Sequence, residues 1–233
     1  MYKRVLIKIS GEALGNDKGD NLCTEKLKSI AEEFIDLKKA GHEVVIVLGA
    51  GNIWRFRDNT DSGIDRTSSD YMGMLATIMN SVALQSAIEH QGVESRVCSA
   101  IHVPQLAEPY IKRRATRHLE KGRIVICAGG TGNPFFTTDS AAALRASELN
   151  CDAIIKATKV DGVYDSDPMK NKNAKKYDSV SFDEVIEKNI KVMDQTAFSL
   201  CKEKNIPIIV LNMSNKGDIV KAAKGEKIGT IVK

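Results

Sequence analysis

Two apolar runs near the start of the chain, residues 5–9 and 42–48, restrict the fold more than any other feature. Between them Leu27, Ile30, Ala31, Phe34, Ile35 and Leu37 recur at helical spacing in a segment that begins near Thr24. Gly41 stands where such a helix would end in a left-handed residue. A strand, a helix, a short exit and a second strand make a βαβ crossover, which joins parallel strands. A third run, residues 124–128, is apolar without interruption, as a strand covered on both faces requires.

The rest of the chain repeats this alternation. A long helix is expected from Asp70 to about His90, with Met72, Leu75, Met79, Val82 and Ala83 on its core face. Residues 93–100 read as a strand, 111–121 as a basic helix, 141–149 as a helix and 153–158 as a strand, before a Gly/Asp-rich irregular segment from 159 to 178. Ser181-Phe-Asp-Glu184 has the pattern of a capping box. A helix from about Asp194 to Lys204, a strand at 207–211 ending in Asn212, a short helix after Gly217 and a strand at 229–232 follow. With no internal repeat, low-complexity tract or linker, one α/β unit is expected.

Hydrophobic residues at 42% and charged residues at 27% exclude disordered and fibrous classes. The net charge of +4 is scattered apart from small basic clusters at 112–114 and 170–176, which lack interleaved aromatics, so no nucleic-acid partner is expected. Cys23, Cys98, Cys127, Cys151 and Cys201 are odd in number and form no C-x-x-C pair, which suits reduced thiols of a cytoplasmic protein. The four histidines include no i, i+4 pair, so a histidine-held metal is not expected. No apolar stretch has the length of a membrane span or signal peptide.

The chemistry collects where the strands stop: Lys8-Ile-Ser-Gly11, Gly49-Ala-Gly51, Gly129-Gly-Thr-Gly132, Lys156-Ala-Thr-Lys159 and Asn212. In open parallel sheets, ligands lie in the crevice beyond the carboxyl ends of the strands. Glycines there permit positive φ and close approach, and helix N-termini favour anions. One such loop alone reads equally as a tight connection; several together point to a phosphate-bearing ligand. Neither G-x-x-x-x-G-K-[ST] nor G-x-G-x-x-G is present, because Trp54 and Phe135 stand where the third glycine would fall. Phosphates must then be held by several loops and separate cations. Lys8, Arg55, Lys156 and Lys159 can supply charge, and Asp139 or Asp194 an orienting or metal-linked carboxylate. Arg55 and Lys156 read equally as rim residues, since single charges at loop ends are common.

Lys8-Ile-Ser-Gly-Glu-Ala-Leu14, Gly51-Asn52, Asp70-Tyr-Met-Gly-Met-Leu-Ala-Thr77, Thr131-Gly-Asn-Pro-Phe-Phe-Thr-Thr-Asp-Ser140, Lys156-Ala-Thr-Lys-Val-Asp-Gly-Val-Tyr164 and Val192-Met-Asp194 occur in that order. Together they resemble the bacterial uridylate kinases of the amino-acid-kinase family over nearly the whole chain. The resemblance implies a single three-layer αβα domain over residues 1–233 around a central, mainly parallel sheet. Its acceptor side would be roughly 1–150 and its ATP side roughly 151–233. It implies ATP-dependent phosphorylation of UMP to UDP in pyrimidine nucleotide synthesis, with Mg²⁺ carried by ATP and no protein ligand assigned to the ion, in a homohexamer.

Carried over by position, the resemblance places ATP at Lys8, Ile9, Ser10, Gly11, Gly51 and Arg55, with Thr158, Tyr164 and Asp167 on the adenosine side. UMP would meet Ala50, Asp70 and the loop Thr131, Gly132, Asn133, Pro134, Phe135, Phe136, Thr137 and Thr138. Lys8, Asp139 and Asp194 would be catalytic. Ala50 stands where the family often has glycine, and a methyl fits there if φ is negative. The loop at 15–20 borders a GTP effector site in some relatives and varies too much to transfer, so GTP activation and UTP inhibition stay open. Asp70 and Asp194 also read as helix N-caps, and Tyr164 as a packing aromatic. A carbamate or acetylglutamate kinase is opposed by the Phe135-Phe136 pair, and a non-catalytic nucleotide sensor by intact Lys8 and Asp139.

Overall fold

The computed structural model describes residues 1–55, 63–166, 171 and 173–233. The chain runs β1 (Arg4–Ile9), α1 (Thr24–Lys39), β2 (Glu43–Leu48), α2 (Arg66–Glu89), β3 (Ser95–Ser99), β4 (Glu108–Pro109), α3 (Lys112–Glu120) and β5 (Ile124–Ala128). It continues through α4 (Thr138–Glu148), β6 (Ala153–Thr158), β7 (Ser179–Val180), α5 (Phe182–Glu187), α6 (Gln195–Lys204), β8 (Ile208–Asn212), α7 (Asp218–Lys224) and β9 (Thr230–Val232). The strands form one sheet in the order β4-β3-β5-β2-β1-β6-β8-β9-β7. Neighbours are parallel except β8 and β9.

The pleat of β1 shows how the layers arise. Val5, Ile7 and Ile9 enter one apolar cluster and Leu6 the other, as the two-residue period of a strand demands. The first cluster takes Phe34 of α1, Ile78 and Leu84 of α2 and Ala222 of α7. The second takes Leu119 of α3, Ala142 of α4, Phe182 of α5 and Phe198 of α6. The sheet is thus covered on both sides, giving the expected three-layer αβα architecture. Each large apolar side chain so buried contributes about 1.5–3 kcal/mol.

Gly41 ends α1 as expected: at φ +94° its N–H reaches the Lys38 carbonyl, and the His42 N–H reaches Leu37, a Schellman pair. The α5 box is half formed. Ser181 accepts from the Glu184 N–H, but the Glu184 carboxylate turns to Lys188 instead of reaching back.

Helix α2 departs from expectation in two ways. It begins four residues before Asp70, capped by Asp65 through the Ser68 N–H, so Asp70 is not the N-cap. Its expected core face holds only in part: Val82 packs against the first cluster and Met72 and Ala83 are half-buried, but Leu75 and Met79 are 50% and 55% exposed. The buried face carries Ser69, Met74, Ala76, Thr77, Ile78, Asn80, Ser81, Leu84 and Ile88. Small and polar residues face inward here because they hold the loops at the strand ends.

Candidate active site

Parallel register places two lysines side by side. Lys8 of β1 pairs with Lys156 of β6, and both lie on the strand face that carries Leu6 and Ile154 into the α4 cluster. Two like charges so close would repel, and Asp139 in the first turn of α4 answers both. Its Oδ1 lies 2.8 Å from Lys8 Nζ as an ion-pair contact without aligned hydrogen-bond geometry, and its Oδ2 accepts from Lys156 Nζ at 2.8 Å. Lys156 Nζ also donates to the Val192 carbonyl at 2.6 Å.

These three side chains are only 13–16% exposed. Burial pushes the Asp139 carboxyl up, but Lys8 and then Lys156 outweigh it and hold the group below its ordinary value. Burial, aided by Lys8, lowers Lys156 against the opposing pull of Asp139. Within this group two ammonium groups and one carboxylate leave one positive charge, offset in part by the Asp194 carboxylate near Lys156, in a poorly hydrated place that suits an anion. The α4 N-terminus adds its field, although Thr137 Oγ1 already accepts from the Asp139 and Ser140 N–H groups.

The glycine turns are held from below by α2. Asn80 Nδ2 donates to the Gly49 carbonyl at 2.8 Å and to Asn52 at 2.8 Å, and Thr77 Oγ1 accepts the Gly129 N–H at 2.9 Å. At Gly11 a Cβ would lie 2.6 Å from the Gly49 carbonyl oxygen, so the β1 and β2 turns can touch only without a side chain.

A cavity of about 490 Å³ opens between α2 and the loop after β5. Of the expected acceptor residues, Ala50, Asp70, Thr131, Asn133, Phe136, Thr137 and Thr138 line it; Gly132, Pro134 and Phe135 do not. Ala50 is not among the positive-φ residues, so its methyl is accommodated. Asp70 accepts the Phe135 N–H at 2.7 Å and pairs with Arg66, fixing Phe135 at φ +72°, a left-handed conformation that costs of order 1–3 kcal/mol. Arg55, expected at ATP, lines this cavity instead of the one lined by Thr158 and Tyr164, and Trp54, Arg66, Ser69, Gly73, Met74, Thr77 and Gly130 also line it and were not expected there.

Lys156, Thr158 and Tyr164 line a second cavity of about 540 Å³. Residues 188–192 form part of its wall, including the Val192 whose carbonyl holds Lys156, and only Val192 fell in a motif singled out from the sequence. Tyr164 donates its hydroxyl to Asp161 at 2.6 Å. Ile9 is fully buried, leaving its backbone for any ligand contact. Arg55 Nε donates to the Gly51 carbonyl at 2.7 Å, while Glu12 pairs with both Arg55 and Lys159. Asp167 lies outside the described residues.

Asp194 caps α6 by accepting the Ala197 N–H at 2.9 Å, and it also accepts from Thr137 and Ser140 of the α4 start. The capping reading therefore holds, and the same carboxylate ties α6 to the acceptor loop.

A match to the Amino acid kinase family spans residues 3–212. The chain belongs to the amino acid kinase family. It is 53% identical over 234 residues to the chloroplastic uridylate kinase PUMPKIN of Arabidopsis thaliana, covering 99% of this chain and 68% of that one. The structure superposes on UMP kinase from Bacillus anthracis with a TM-score of 0.97 at 43% identity, covering 100% of this chain and 96% of that one. For UMP kinase from Ureaplasma parvum the values are 0.95 and 40%, covering 100% and 99%. Of the Lys8–Asp139–Lys156 group, Lys156 lines the second cavity, and Thr138, the residue before Asp139, lines the first.

Proposed function

We propose that the chain catalyses ATP-dependent phosphorylation of UMP to UDP, a step of pyrimidine nucleotide synthesis. The observation that carries this reading is the buried Lys8–Asp139–Lys156 group, with Lys156 lining one cavity and Thr138, next to Asp139, lining the other, in a chain 40–53% identical to uridylate kinases. UMP would occupy the α2-side cavity, with Asp70 toward its ribose and Thr131 to Thr138 around phosphate and base. ATP would lie along Lys8 to Gly11, Gly51 and Arg55, with its adenosine toward Thr158 and Tyr164.

A UMP phosphate oxygen attacks the γ-phosphorus of ATP. The new O–P bond forms as the bond to the β,γ-bridging oxygen breaks, and ADP leaves with that electron pair. No proton transfer and no protein nucleophile is required. Lys8 and Lys156 stabilise negative charge spread over the transferring oxygens, and Asp139 keeps the two ammonium groups together before substrate arrives. Among the described residues no group of three carboxylate, histidine or cysteine side chains could cage a metal ion. One carboxylate beside two ammonium groups fits an ion that arrives on nucleotide phosphates, and Mg²⁺ so bound would neutralise β- and γ-phosphate charge. Asp139 is the carboxylate nearest that place and would meet such an ion through water.

We extend the reading to a single domain over residues 1–233, working in the cytoplasm as a homohexamer. Tyr71, Leu75 and Met79 form an exposed apolar stripe along α2, the kind of surface a second copy would cover. No helix among the described residues is long and apolar enough to cross a membrane. The deciding experiment is an assay of ADP formation with UMP, CMP, dCMP, AMP and GMP as acceptors, repeated with GTP and UTP added as effectors. Turnover with UMP above the others is expected. Binding without turnover of any acceptor would replace the kinase by a nucleotide sensor.

A further inference from the structure

Arg145 is buried to 5% exposure on α4, two turns from Asp139, and phosphoryl transfer as described makes no use of it. A buried guanidinium needs partners, and it has three. Its Nη1 donates to Glu148 at 2.6 Å, its plane lies over the Tyr110 ring with Cζ 3.8 Å from the centroid, and its Nη2 reaches the Gly130 carbonyl at 3.5 Å. The Tyr110 hydroxyl is itself buried without an aligned partner, and burial followed by nearby Glu148 pushes its pKa upward.

Gly130 immediately precedes the acceptor loop and lines the first cavity. Gly129 and Gly130 have φ of +74° and +59°, so this peptide could turn either way at little steric cost. The peptide bonds are trans, so the Gly130 carbonyl and the Thr131 N–H point in opposite directions. With the carbonyl drawn toward Arg145 in the interior, the Thr131 N–H faces the cavity that Gly130 and Thr131 line. Among the described residues nothing accepts that N–H, whereas the Gly129 and Gly132 N–H groups are taken by Thr77 Oγ1 and the Gly129 carbonyl. We propose that Arg145, braced by Tyr110 and Glu148, is a positioning residue that sets the Gly130–Thr131 peptide so that the Thr131 N–H donates to an oxygen of the acceptor nucleotide. This rests on the reading of that cavity as the UMP site.

The test compares Arg145→Met and Arg145→Lys with the unaltered chain. Arg145→Met should raise KM for UMP about tenfold, the worth of one hydrogen bond, with KM for ATP and kcat within about twofold. Arg145→Lys keeps the charge but not the stacked plane, and should recover part of the loss. Equal changes in both Michaelis constants, or none, overturn the proposal. If Arg145→Met does not fold, amide NMR of the unaltered chain decides. UMP should shift the Thr131 proton downfield and ATP alone should not, and a Thr131 amide unmoved by saturating UMP sinks the idea. A chain that shows this shift but forms no UDP would refute the kinase reading and leave the Thr131 N–H contact to UMP standing.

Discussion

Replacing Asp139 with Asn removes the charge that lies 2.8 Å from both Lys8 and Lys156 and changes almost nothing in volume. One amide oxygen can still accept from a single lysine, but the amide N–H₂ then faces the other. Removing one partner of a buried ion pair costs about 3–5 kcal/mol, because the remaining charge stays buried without compensation. At about 2–4 °C per kcal/mol for a chain of this size, Tm should fall by roughly 6–20 °C. ADP formation with UMP should fall by about 10²–10³-fold, since the two ammonium groups are no longer preorganised. Lys156→Met supplies the control. It removes the second buried charge, so the double variant should be more stable than Asp139→Asn alone.

The pH dependence follows from the same group. The folded Asp139 pKa lies below its ordinary 3.8, so its contribution is fully present above 3.8 and disappears as pH falls through the folded value. The stability gap between the unaltered chain and Asp139→Asn should be flat from neutrality down to that window and close within it. The reasoning fails if the single variant melts within about 1 kcal/mol of the unaltered chain, or if the double variant loses the sum of the two singles.

Lys8→Ala should lower kcat by about 10²–10³-fold in a folded protein, because Lys156 still pairs with Asp139; unreduced turnover would remove Lys8 from the transferring phosphoryl. Asp70→Asn should raise KM for UMP about tenfold and leave KM for ATP little changed, because it weakens the anchor of Phe135 along with the ribose contact. Leu75→Glu on the exposed α2 stripe should reduce the mass seen by light scattering from a hexamer to a smaller species, and an unchanged mass would move the interface elsewhere.

The layers were legible because they rest on local patterns. The apolar runs at 5–9, 42–48 and 124–128 became β1, β2 and β5, and Gly41 closed α1 in the way its position suggests. The misreading of α2 has a specific cause. The expected face mixes Val82, which packs on the core, with Leu75 and Met79, which are exposed. The inner face has Thr77 and Asn80, spaced one turn apart, because glycine turns with open backbone groups lie beneath it. Strands β4 and β7 have two residues each and show no periodicity at that length.

The site was legible as a set of strand ends but not as an arrangement. Lys156 read equally as a ligand or as a rim residue at a strand end, and its meaning depends on β6 lying next to β1, a neighbour relation that local sequence does not encode. Once that pairing exists, two buried ammonium groups share one face, and the residue opposite has to be acidic. Asp139 is therefore a consequence of sheet order as much as of its own motif. Asp194 shows the same dependence from the other direction. Its capping role could be read from sequence, but its bonds to Thr137 and Ser140 arise only because α6 packs against α4. One carboxylate thereby joins the start of α6 to the acceptor loop, so a change at Asp194 should disturb acceptor binding even if it never touches a phosphate.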